Sequence, residues 1–179
     1  MDFAKLLNSV NSIKEEFPPV HLWNPELCEG VEMQIDREGN WFYQGSIIGR
    51  KKLKVLFSRI LKLENNNYFL VTPIEKVSVK VDLAPYMIVD YEVDDSKTKI
   101  ILKTNLEISI PLNKDHKLEL KRVGDENIPF VEVRDGIEGF LSRSVYYSLV
   151  DIALSQGNDS SGELSLKSFN CIFSLGEVA

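Results

Sequence analysis

The sequence predicts an α+β fold: two tandem, similar units, each a curved antiparallel sheet of β-roll type packed by one helix, with an amphipathic helix in front. Three observations carry that prediction. Gly39 to Arg50 reads as the second half of a hairpin running into a helix start, and Leu70 to Lys76 resumes as strand. Short alternating runs then fill residues 75–122. A second helical pattern from Ser142 again follows strand and precedes strand, with Arg143 standing where Arg50 stood. The expected division is residues 1–18 for the opening helix, 19–95 for the first unit and 96–179 for the second, with the boundary somewhere between 76 and 96.

Phe3, Leu6, Leu7, Val10, Ile13 and Phe17 recur at helical spacing, with Asp2 as a cap and Pro18-Pro19 as a stop. Val20 to Gly30 has no clear period and reads as an ordered loop anchored by Trp23. Val31, Met33 and Ile35 alternate with polar residues, and Arg37-Glu38-Gly39-Asn40 supplies a turn before Trp41-Phe42-Tyr43. Leu53, Leu56, Phe57, Ile60 and Leu61 mark one buried face of a helix that Asn65-Asn66-Asn67 ends.

Alternating runs at Val77–Val81, Met87–Tyr91, Lys99–Leu102, Leu106–Ile110 and Leu118–Leu120 are separated by turn residues, which predicts an antiparallel meander bridging both units. Phe130 to Val133 leads through Asp135-Gly136 to the second helix, whose expected buried face is Val145, Tyr146, Leu149, Val150, Ala153 and Leu154. Gly157 to Gly162 reads as a flexible tip, and Leu164 to Phe173 as two last strands. Placing Arg50 on Arg143 also brings Leu53 onto Tyr146, Leu56 onto Leu149 and Phe57 onto Val150, the pattern of a duplicated hairpin, helix, hairpin unit.

At 179 residues and 44% hydrophobic content the chain supports a real core. Its net charge of -6 repels nucleic acid and anionic membranes, so neither is an expected partner. Cys28 and Cys171 stand far apart without metal-ligand spacing, so no metal is expected and a reducing cytoplasm is the expected compartment. No secretory leader and no membrane-spanning run is read in the sequence.

Several short elements, in this order, resemble the bacterial domain-of-unknown-function family 1285. They are Leu22-Trp23-Asn24-Pro25 with Cys28, Met33-Gln34-Ile35, Gly39 to Ser46 with Ile48 and Arg50, Leu56-Phe57-Ser58, Leu70 to Lys76, Ala84-Pro85-Tyr86, and Arg134 to Ile137 with Ser142-Arg143 and Tyr147. The chain departs from the family pattern at Glu29, where glycine is common, and at Ile47, where proline is common. The resemblance implies two tandem α+β units in a cytoplasmic protein with no established activity and an expected part in ligand binding or signal transduction.

The candidate ligand-binding residues are Trp41, Tyr43, Arg50, Glu75, Lys76 and Arg143. Cations are disfavoured at a helix N-terminus, yet Arg50, Lys51, Lys52 and Arg143 cluster at two of them. Either an anion offsets that cost, using free backbone N–H groups and the guanidinium fork, or each arginine pairs with an internal carboxylate such as Glu75 or Asp135. The first helix also carries a basic stripe, from Arg50 through Lys54 to Arg59 and Lys62, that reads as a solvated face or as a contact for an acidic protein or a lipid headgroup. Trp41 and Tyr43 share one side of a strand and either pack in the core or floor a pocket.

Cys28 would need a base to act as a nucleophile, and the histidines are His21 and His116. No GxxxxGK, GxGxxG, HExxH or GxSxG occurs, and no catalytic residue or cofactor is assigned. The expected function is therefore a non-enzymatic binding or regulatory module that takes a small anionic metabolite, a peptide or a protein between its units. The rival is a hydrolase or transferase using Cys28 or a carboxylate near Glu75.

Overall fold

The computed structural model describes residues 8–10, 17–157 and 162–177, so the expected opening helix and the expected tip at 157–162 fall mostly outside the described residues. Two units divide between Pro85 and Tyr86.

In the first unit, β1 (Met33–Ile35), β2 (Trp41–Tyr43) and β3 (Ser46–Ile47) form a meander, α1 (Lys51–Arg59) follows, and β4 (Leu61–Glu64), β5 (Asn67–Val71) and β6 (Lys76–Val81) form a second meander. One six-stranded sheet results, in the order β3-β2-β1-β6-β5-β4. Its turns are set locally. Asp36 accepts the amides of Glu38 and Asn40 at 3.0 and 2.7 Å and closes the β1–β2 turn. Gln44-Gly45 and Asn65-Asn66 each put two successive residues at positive φ, the twist that a two-residue hairpin needs and that glycine and asparagine adopt at low cost.

The expected all-antiparallel sheet is corrected here, because β1 and β6 run parallel, with Met33 opposite Val79 and Ile35 opposite Val81. Parallel neighbours need a long crossover, and everything between β1 and β6 serves as one. The helix also ends earlier than its period suggested, with Ile60 as its C-cap and Leu61 opposite Leu70 in the sheet. On α1 the buried residues are Val55, Phe57 and Ser58, while Leu53 and Leu56 are half-buried. The preceding loop is tied down by buried Val20, by the Lys62 ammonium donating to the Trp23 carbonyl at 3.1 Å, and by a Leu27–Lys76 bridge.

The second unit contains β7 (Tyr86–Val93), β8 (Ile100–Thr104), β9 (Ser109–Pro111), β10 (Leu118–Val123), β11 (Glu126–Arg134), β12 (Ile137–Leu141), α2 (Arg143–Gln156), β13 (Glu163–Ser168) and β14 (Cys171–Glu177). Its six-stranded sheet has the order β10-β11-β12-β7-β8-β9, again closed by a parallel pair, β12 with β7, and β13–β14 is a separate hairpin. The expected meander across both units therefore breaks between β6 and β7, and β9 and β10 lie at opposite edges of the second sheet.

Numbered within its own unit, each sheet has the same strand order, third-second-first-sixth-fifth-fourth. The helices break the likeness. α1 follows the third strand of its unit and α2 follows the sixth, so Arg50 and Arg143 begin helices at different places in the two sheets. The Ser142 hydroxyl caps α2 by accepting the Val145 amide at 3.4 Å. The buried residues of α2 are Val145, Leu149, Ile152 and Ala153, whereas Leu154, expected inside, is exposed. The Tyr146 hydroxyl donates to the Leu175 carbonyl at 2.5 Å, joining α2 to β14.

Candidate functional site

Strand alternation decides where the aromatic candidates go. Trp41 is fully buried and stacks on Phe57 of α1, with ring centroids 6.3 Å apart and planes 24° apart. Its indole Nε1 is buried without a hydrogen-bond partner among the described residues. The ring is core and floors no pocket. Tyr43 shares that side of β2 and is half-buried, whereas Phe42 faces the other way.

Glu75 and Lys76 part company for the same reason. Glu75 is 3% exposed and leads the row of Val77 and Val79 on the core side. Lys76 emerges on the opposite face, where its ammonium sits 2.8 Å from Glu64 and 4.4 Å from the Phe69 ring centre. Lys62 reaches the same carboxylate at 3.2 Å. The Lys76 hydrogen bond, then that of Lys62, holds the Glu64 carboxyl below its usual range. This cluster ties β4 to β6 and to the loop before β1.

The two arginines belong to different units. Arg50 is the N-cap of α1, exposed, and has no side-chain ion pair or hydrogen bond among the described residues. Arg143 is 89% exposed and stands 3.8 Å from Glu126, a loose surface pair of small energetic weight. Neither partner is Glu75 or Asp135. Asp135 instead binds Arg134 at 3.0 Å. Five of the six candidates belong to the first unit, on two sheet faces and at one helix start, and Arg143 begins the helix of the second.

Catalytic candidates fare no better. Cys28 is half-buried and His21 is exposed, and no hydrogen bond joins them among the described residues. No group of three or more His, Cys, Asp or Glu side chains among the described residues is placed to hold a metal ion.

Concave surface occurs elsewhere. On the outer face of the first sheet, Glu32, Gln34, Asp36, Phe42 and Gly45 line a depression of about 280 Å3. Its polar groups are largely engaged, since Asp36 closes its turn and the Gln34 amide donates to Asp82 at 3.1 Å. In the second unit a depression of about 270 Å3 lies where β10 meets β14. Leu118 and Phe173, both buried, give it an apolar floor, and Cys171 and Ile172 form one wall. Lys114 and Lys117 stand on the rim with no ion pair among the described residues, and Glu119 and Ser174 complete the lining.

The chain matches the DUF1285 N-terminal domain, a domain of unknown function, over residues 18–84, and the DUF1285 C-terminal domain over residues 85–175. The chain belongs to the DUF1285 family. A crystal structure of a DUF1285 family protein from Silicibacter pomeroyi DSS-3 is similar at 38% identity and a TM-score of 0.82, covering 97% of this chain and 95% of that one. Another, from Shewanella baltica OS155, is similar at 30% identity and a TM-score of 0.58, covering 73% of this chain and 100% of that one. No curated protein matches.

Both family domains coincide with the two units of this DUF1285 protein, meeting between residues 84 and 86. No helix among the described residues is long and apolar enough to cross a membrane. The β10–β14 depression escaped the reading of the DUF1285 sequence because its parts come from two distant segments.

Proposed function

We propose that this DUF1285 protein is a non-enzymatic binding or regulatory module that recognises a small anionic ligand, and that the ligand sits in the β10–β14 depression of the second unit. The observation that carries this reading is the pair of lysines, Lys114 and Lys117, which have no ion pair among the described residues and stand on the rim of a concave, apolar-floored surface in a protein of net charge -6. Cations concentrated on an acidic molecule focus an anion at that place, and the low-dielectric floor strengthens the attraction. Glu119 offsets one of the two charges and leaves the lining net positive. An enzyme reading has less support, because no base is hydrogen-bonded to Cys28 among the described residues and the depression is lined by no carboxylate pair.

Thermal unfolding of the full chain against a panel of carboxylates, phosphates and nucleotides tests the proposal. At a hundred times its Kd a true ligand stabilises by about 2.7 kcal/mol, a clear rise in Tm. The Lys114→Gln/Lys117→Gln double variant should unfold like the parent and lose that rise. No stabilisation by any anion, or stabilisation that the double variant retains, overturns it.

A further inference from the structure

β10 is the last strand of its six-stranded sheet and β14 is the outer strand of its hairpin, and the two lie side by side without a backbone ladder between them. At one end a Cβ placed on Gly176 would lie 3.4 Å from the Leu120 side chain, so β14 passes close beside β10 there. At the other end, around Cys171 and Leu118, their seam opens into the depression. The opening combines two kinds of surface that recognise different parts of one molecule: an apolar floor and wall, including Ile172 at 66% exposure, and a cationic rim.

From this we infer that the seam binds a small amphiphilic carboxylate, with its chain or ring laid over Leu118, Ile172 and Phe173 and its carboxylate facing Lys114 and Lys117. The inference rests on the anion-binding reading above and adds the ligand's apolar body. A bare inorganic anion would leave the floor wet and gain nothing from it, whereas each buried methylene contributes about 0.8 kcal/mol.

Cys171 reports occupancy, because its thiol stands on the wall of the depression while Cys28 lies in the other unit and serves as an internal reference. The experiment alkylates the full chain with neutral iodoacetamide and follows both cysteines by peptide mass spectrometry, with sodium octanoate, sodium acetate or 1-octanol present. Octanoate at ten times its Kd should slow Cys171 about tenfold, since the open fraction falls as the reciprocal of one plus ligand over Kd, and leave Cys28 unchanged. Acetate should do nothing at the same concentration. Lys114→Gln/Lys117→Gln should raise the half-protecting octanoate concentration about tenfold, the ratio that corresponds to about 1.4 kcal/mol. Equal protection by acetate overturns the amphiphile and leaves the anion site standing. Protection by octanol equal to that by octanoate, or equal slowing of both cysteines, overturns both readings, whereas no protection by either acid overturns the amphiphile and leaves the anion reading to the thermal panel.

Discussion

A Cβ placed on Gly139 would lie 3.0 Å from the Cβ of Tyr86 and 3.2 Å from its carbonyl oxygen. The two residues are opposite one another in the parallel β12–β7 pair that closes the second sheet, and the Val133 side chain crowds the same spot at 3.3 Å. Gly139→Ala should therefore force backbone to shift rather than a flexible side-chain end, at a cost of about 1–3 kcal/mol. Urea denaturation followed by circular dichroism measures it. A loss below about 0.5 kcal/mol would show slack in the parallel pair.

Trp41 separates packing from recognition. As a core ring against Phe57, its replacement by alanine should cost about 3–5 kcal/mol. Trp41→Phe should cost much less, because the indole N–H that it removes has no partner to lose. Comparing both variants with the parent by chemical denaturation checks the order. Equal losses would mean that the nitrogen makes a contact on which stability depends.

Arg50→Gln and Arg143→Gln should each stay within about 0.5 kcal/mol of the parent, as expected for exposed side chains without a strong partner. For Arg50 the expected sign is a slight gain, since a cation at the head of a helix opposes the peptide dipoles by about 0.3–1 kcal/mol. Thermal unfolding at low ionic strength reads both. A loss above about 1 kcal/mol at either position would restore the idea of an internal ion pair there.

Asp94 should govern acid sensitivity at the β7–β8 turn. Its carboxylate accepts the Ser96 hydroxyl at 2.5 Å and the amides of Thr98 and Lys99 at 2.7 and 2.8 Å. Those bonds, Ser96 first, lower its pKa from 3.8 to about 2. A folded-state pKa below the unfolded one stabilises the protein fully above 3.8, and the contribution fades as pH falls toward about 2. Asp94→Asn should thus be less stable than the parent above pH 3.8, with the gap narrowing toward about pH 2. Paired Tm measurements across that interval test this, and a gap independent of pH would contradict it.

Much of the local structure was legible because it is local. The Arg37 to Asn40 turn, the strand of Trp41 to Tyr43 and the second helix from about Ser142 follow from turn chemistry and period alone. Where neighbours from elsewhere in the chain compete, the reading failed. Leu61 continues a helical period, but it is taken by Leu70 into the sheet. Leu154 fits the apolar stripe of α2, but Ile152 lies against the core instead. The candidate site was the least legible part. Glu75 and Lys76 are adjacent in the chain and lie on opposite sheet faces, while Leu118 and Phe173 are far apart in the chain and share one depression.

By itself the amino-acid sequence determined the α+β class, the two helices that begin near Lys51 and Arg143, many of the strands and turns, and the membership in the DUF1285 family. Each of these is written in alternation, capping and turn residues within a few positions of one another. Only the tertiary structure decided that a parallel pair closes each sheet, that the two helices occupy unlike places, that Arg50 and Arg143 meet no strong partner among the described residues, and that an apolar seam opens beneath Lys114 and Lys117. Those outcomes depend on which distant segments exclude water together, and that choice is made by packing across the whole unit rather than by any one stretch of chain.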